Sequence, residues 1–166
     1  MKSEISIQRI IIHDKNRIQK LNIMGHESII YGHICAIGNQ PPHGEKLYKL
    51  NEKIIDNLTK KDDYPWITKW MFSTIPYDTQ HIYRNQIIHF GASYKQLESD
   101  WNEWLEKFES ILKQLYWFSV TLHLETELVG DHKFEWIADF DKFENNNPKP
   151  TSEWKFDGGP REFKYL

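Results

Sequence analysis

Apolar residues recur through residues 97–115 at Leu97, Trp101, Trp104, Leu105, Phe108, Ile111, Leu112 and Leu115. This is the i, i+3, i+4, i+7 rhythm of a helix buried along one side. Ser93, followed three residues later by Gln96, reads as a capping-box start for that helix. Beyond it the period falls from about 3.6 to 2. Val120, Leu122, Leu124, Thr126 and Leu128 then point one way, and Thr121, His123, Glu125 and Glu127 the other. Val129-Gly130-Asp131-His132 has the length of a hairpin connection, and a second strand follows over 133–140. In it Phe134, Trp136, Ala138 and Phe140 form the apolar face, and Glu135, Ile137 and Asp139 the opposite one.

Earlier in the chain, Ile5, Ile7, Ile10, Ile11 and Ile12 mark a strand over 4–13, and 14–25 reads as a polar connection ending at Gly25. A second Ile-rich strand follows over 28–37, closed by Gly38 and the turn residues Asn39-Gln40-Pro41-Pro42, and the two strands are placed to pair as a hairpin. Leu47, Leu50, Ile54, Ile55 and Leu58 predict a second amphipathic helix over 45–60. Asp63 and Pro65 open a short helical stretch through Trp66, Trp70 and Met71, stopped by Pro76. Gln86 to Phe90 reads as a short strand ended by Gly91. The expectation is an α+β domain over 1–144, a mostly antiparallel sheet with two main amphipathic helices packed on one face. The remainder, 145–166, begins with an Asn-Pro run but contains Trp154, Phe156, Phe163 and Tyr165, so it is expected to dock rather than stay free.

Composition narrows the function classes. The chain has 166 residues, with 39% hydrophobic and 14% aromatic content, seven of them Trp, so burial falls on large side chains. Cys35 is the single cysteine, which excludes an intramolecular disulfide and suits a cytoplasmic setting. The apolar stretch in MKSEISIQRIIIHDK is too short, and too interrupted by Glu4, Gln8 and Arg9, for a signal or membrane segment. The net charge of −3 hides an asymmetry. Residues 1–20 carry Lys2, Arg9, Lys15, Arg17 and Lys20 against Glu4 and Asp14. Residues 119–144 carry Glu125, Glu127, Asp131, Glu135, Asp139, Asp141 and Glu144 against Lys133 and Lys142.

Chemistry-bearing patterns are sparse. His123-x-Glu125-x-Glu127 puts an imidazole and two carboxylates on one strand face, with Glu135 and Asp139 beside them across the hairpin. Such groups suit a zinc or non-haem iron site, an acid–base pair, a partner-binding patch or a merely solvated face. No HExxH or Cys-His set accompanies them. His13, His33 and His89 lie in strand-like contexts and read as hydrogen-bonded core or edge residues. Cys35 has no local activating neighbour. No GxGxxG or GxxxxGK[ST] loop occurs, which disfavours nucleotide chemistry, and a sequence pI near 6.2 disfavours nucleic acid as the main partner. Trp101 and Trp104 read as core, whereas Trp117 and Trp154 fall outside the helical stripe and are candidate interface anchors.

In character across its whole length, the chain resembles the immunity proteins of bacterial polymorphic-toxin and contact-dependent growth inhibition systems: small, slightly acidic, and rich in Ile, Lys, Asn and aromatics. The resemblance lies in build and in no motif, so the site residues come from the chain's own charge pattern. It implies a cytoplasmic protein with no catalytic residues and no cofactor, whose partner is a cognate toxin, a nuclease with a cationic surface. Glu125, Glu127, Glu135 and Asp139 would form the complementary acidic patch, with His123 and Trp117 as anchors. The alternative is a small metal- or ligand-binding enzyme using a pocket between sheet and helices, with a metal at His123 and Glu125.

Overall fold

A computed structural model describes residues 26–37, 43–79, 84–138 and 148–164. The expected strand over 4–13 and its hairpin with 28–37 lie outside these residues. Six strands form one antiparallel sheet: β1 (Glu27–Ala36), β2 (Phe72–Thr74), β3 (Gln86–Lys95), β4 (Trp117–Thr126), β5 (Gly130–Ala138) and β6 (Trp154–Gly158), in the order β2-β3-β1-β4-β5-β6. Two helices, α1 (Gly44–Asp56) and α2 (Trp101–Leu112), complete an α+β fold.

The core forms where the two periodicities meet. All eight stripe residues from Leu97 to Leu115 are buried, as are Ile30, Ile34, Ile88, Phe90, Val120, Leu122, Leu124, Phe134 and Trp136 on the facing side of the sheet. The contact is mostly aromatic. Trp101 and Trp104 stack at 5.3 Å, Trp104 and Phe108 at 5.0 Å, and Phe108 meets Phe90 and Trp136 at 5.0 and 5.6 Å. Burying an indole strands its N–H unless an acceptor is built in. Acceptors are present: Trp101 donates to the Pro160 carbonyl (3.1 Å), Trp104 to the Tyr94 hydroxyl (2.9 Å), Trp117 to the Leu112 carbonyl (2.8 Å) and Trp136 to Glu109 (2.9 Å).

Several expected boundaries move, and at β3 and the turn into α2 the cause is pairing or bonding with β1. Gly91 does not end β3, which runs to Lys95 because all ten of its residues pair with β1. Ser93 is therefore a strand residue and caps nothing. The turn into α2 is a 3-10 stretch, Leu97–Asp100, entered through Gln96 at φ 56°. Its first amide, Leu97 N–H, donates to the hydroxyl of Ser28 on β1 (2.9 Å), and Ser28 in turn donates to the buried Glu98 carboxylate. The short helix expected after Pro65 is instead an irregular stretch, then a 3-10 turn (Lys69–Met71) and the edge strand β2. α1 stops at Asp56, four residues early. Its Asn51, fully buried, donates to Gln86 and the Tyr116 carbonyl (both 3.0 Å) and accepts from Tyr116 N–H (2.9 Å), tying α1 to the ends of β3 and β4. Within the tail, β6 pairs with β5, while Trp154, Phe156 and Phe163 pack against the core.

Candidate functional site

Strand alternation sends half of each strand away from the helices, and among the described residues no element covers that second face of the sheet. β1 contributes Glu27, Ile29, Tyr31, His33 and Cys35, and β3 contributes Ile87, His89, Gly91, Ser93 and Lys95. From β4 come Ser119, Thr121, His123 and Glu125, from β5 Asp131, Lys133, Glu135 and Ile137, and from β6 Lys155 and Asp157. Three of its aliphatic and aromatic members are open, Ile29 at 38%, Tyr31 at 44% and Ile137 at 53%, while Ile87 is half-buried.

Register decides which of these groups meet. Glu125 stands directly opposite Asp131, and Glu135 directly opposite Asp157. Like charges at facing positions of neighbouring strands repel, so each pair costs stability rather than adding to it. Lys133 relieves part of this through an ion pair with Glu135 at 2.9 Å. Tyr31 lies between His123 and Glu125: its ring stacks on the imidazole (centroids 5.0 Å, planes 11° apart) and its hydroxyl donates to Glu125 at 2.7 Å. That bond to a carboxylate, with some burial and the nearby charges of Glu125 and Asp131, raises the phenol above its ordinary pKa. His33 faces His89 across β1 and β3 and Thr121 across β1 and β4. Partial burial, then the two imidazoles of His89 and His123, hold its pKa below the usual imidazole value. Burial pushes the Cys35 thiol up, away from thiolate reactivity.

His123, Glu125 and Glu135 thus lie together on the open face. Glu127 sits at its rim, in the turn after β4, bonded to His26 at 3.0 Å. Asp139 lies outside the described residues. Trp117 has to be corrected: it is fully buried, against Trp154 at 5.7 Å and hydrogen-bonded within the core, so no partner reaches its indole. Leu128, expected on the apolar side of β4, is instead 44% exposed in the turn. His33 and His89 belong to the open face rather than the core. Tyr31, His33, His89, Asp131 and Asp157 are site members that sequence reasoning missed. The alternation of Ile29, Tyr31, His33 and Cys35 signals that they share a side, but not what stands beside them.

Elsewhere, an open cleft of about 530 Å³ is lined by Lys60, Lys61, Asp62, Asp63, Trp66 and Thr68, on the irregular stretch before β2. It does not lie between sheet and helices, where aromatic side chains fill the space. Among the described residues no three His, Cys, Asp or Glu side chains are grouped as metal ligands, and no helix is long and apolar enough to cross a membrane. Comparison with protein-family models, curated proteins and solved structures finds no match.

Proposed function

We propose that the chain is an immunity-type protein that binds a cognate bacterial toxin in the cytoplasm, a nuclease, and neutralises it by covering its cationic surface with the open sheet face. The observation that carries this reading is the pair of facing carboxylate couples, Glu125 with Asp131 and Glu135 with Asp157, on a face that also exposes Ile29, Tyr31 and Ile137. A sheet gains nothing from facing carboxylates in isolation, whereas an arriving cation removes their repulsion. A nuclease offers such cations because its site must hold phosphate. Opposite potentials raise the association rate, and the exposed tyrosine and isoleucines supply short-range contact once the faces meet. On this reading the patch takes in Asp131, Asp157 and Tyr31, which share the open face, and leaves out Trp117, which is buried.

The test uses the tagged full-length chain and a variant with Glu125, Asp131, Glu135 and Asp157 all changed to Lys. The wild type is expected to retain one stoichiometric protein whose nuclease activity it suppresses. The variant, with an unchanged circular dichroism spectrum, should retain none. A partner held equally by both forms, or one without activity on nucleic acid, would sink the reading.

A further inference from the structure

Among the described residues the open face carries three histidines as well as its carboxylates, and their placement bears on when the face is acidic. His33 on β1 is directly opposite His89 on β3, and His123 lies diagonally across on β4, opposite Tyr31. Around His33 the facing groups are Tyr31 and Cys35 on its own strand, Ile87, His89 and Gly91 on β3, and Ser119, Thr121 and His123 on β4. No carboxylate is among them. His89 faces His33 on one side and Ser73 of β2 on the other. His123 is stacked on Tyr31 and faces Lys133 of β5, with Glu125 two residues along its own strand. Among the described residues, five carboxylates (Glu27, Glu125, Asp131, Glu135, Asp157) and three lysines (Lys95, Lys133, Lys155) share the face, and together they give a charge of −2 while the imidazoles are neutral. Three protons on those imidazoles change it to +1.

We propose that the open face is a proton-controlled docking surface: with His33, His89 and His123 neutral it attracts a cationic partner, and with all three protonated it repels one. The proposal rests on the acidic-face reading above and adds its regulation. An imidazole free in water titrates near pH 6.5, which makes histidine the side chain suited to such a switch. Burial and both neighbouring imidazoles oppose protonation of His33. Binding and protonation are reciprocal, so a bound cationic partner makes the face harder to protonate.

The experiment uses immobilised poly-lysine, whose charge does not change between pH 7.5 and 5.5, and the full-length protein at low salt. Wild type is expected to lose binding by about tenfold or more on acidification, while a His33→Gln, His89→Gln, His123→Gln variant changes by less than about threefold. A control variant, His43→Gln with His132→Gln, alters histidines off the face and should keep the full response. Equal loss in wild type and triple variant overturns the proposal. So does a control that blunts the response as far as the triple variant, because total charge would then suffice. Absence of binding at pH 7.5 in every form would instead sink the acidic-face reading itself. A measurement on wild type alone guards against a misfolded variant. Imidazole NMR signals followed through pH with and without soluble poly-lysine should show all three face histidines titrating at lower pH when the polycation is present, and unchanged titrations would overturn the switch.

Discussion

Changing Asp131 and Asp157 together to Asn should make the protein more stable. Each aspartate faces a glutamate across an antiparallel pair, Asp131 opposite Glu125 and Asp157 opposite Glu135. Facing Cβ atoms stand about 5 Å apart, and exposed carboxylates splay to about 6 Å, where Coulomb's law in water gives roughly 0.7 kcal/mol per pair before screening. Salt at 0.1 M, with a screening length of about 10 Å, removes about half of this. The two substitutions should therefore add roughly 0.5–1 kcal/mol, or about 1–4 °C in Tm for a chain of this size. Asp131→Asn should supply most of it, because Lys133 already offsets Glu135 at 2.9 Å. Asn at 157 keeps an oxygen for the Gly158 N–H that Asp157 now accepts at 2.8 Å, so no local bond is lost. Urea denaturation followed by tryptophan fluorescence, in 20 mM and 1 M NaCl, measures the difference. The gain should shrink towards zero at high salt, and the same variant should bind its cationic partner less well. A loss of stability, or a gain that high salt leaves intact, would refute the view that these residues oppose folding and serve docking.

Three further outcomes follow from the interior and the loops. Asn51→Ala strips a partner from buried Gln86 and from both backbone groups of half-buried Tyr116, whose carbonyl keeps only the longer bond from Ile37 N–H (3.3 Å), and should cost about 2–4 kcal/mol, read as a lower urea midpoint with an unchanged slope. Gly32→Ala should cost about 2–3 kcal/mol or more, since its Cβ would lie 2.1 Å from the Thr121 carbonyl oxygen and 2.7 Å from the Phe90 ring; a change within about 0.5 kcal/mol would contradict the packing. Acid should weaken the fold in two stages, checked by Tm between pH 8 and 2. His33, with its folded pKa lowered, has its neutral form favoured by the native state, so stability is complete above about pH 6.5 and declines as the unfolded chain gains the proton first. Partial burial opposes ionisation of Asp62, but the Ile67 N–H at 2.9 Å, Lys107 and the Asp63 N–H outweigh it and lower its pKa. Its contribution is present above the ordinary carboxylate value and is lost as pH falls through the lowered one, and Asp62→Asn should remove this second stage.

Elements written as a local period were legible without coordinates. The α2 stripe, the outward set His123, Glu125 and Glu135, and the inward set Val120, Leu122, Leu124, Phe134 and Trp136 all stand where alternation or helical spacing puts them. Burial on one side repeats with the backbone's own geometry, so a single stretch of chain holds the signal. What depends on a distant neighbour was not legible. β3 extends past Gly91 because β1 pairs with it, the turn into α2 begins on Ser28 rather than Ser93, and β6 exists because β5 offers it an edge. Trp117 ends in the core because Trp154 and the Leu112 carbonyl enclose it. The candidate site follows the same division. Sequence determined which residues of each strand face outward, but sheet order and register decided that Glu125 meets Asp131, that Glu135 meets Asp157, and that His33 lies between His89 and Thr121. Alternation is a property of one strand, whereas a charged face is a property of several strands held side by side by hydrogen bonds between residues far apart in the chain.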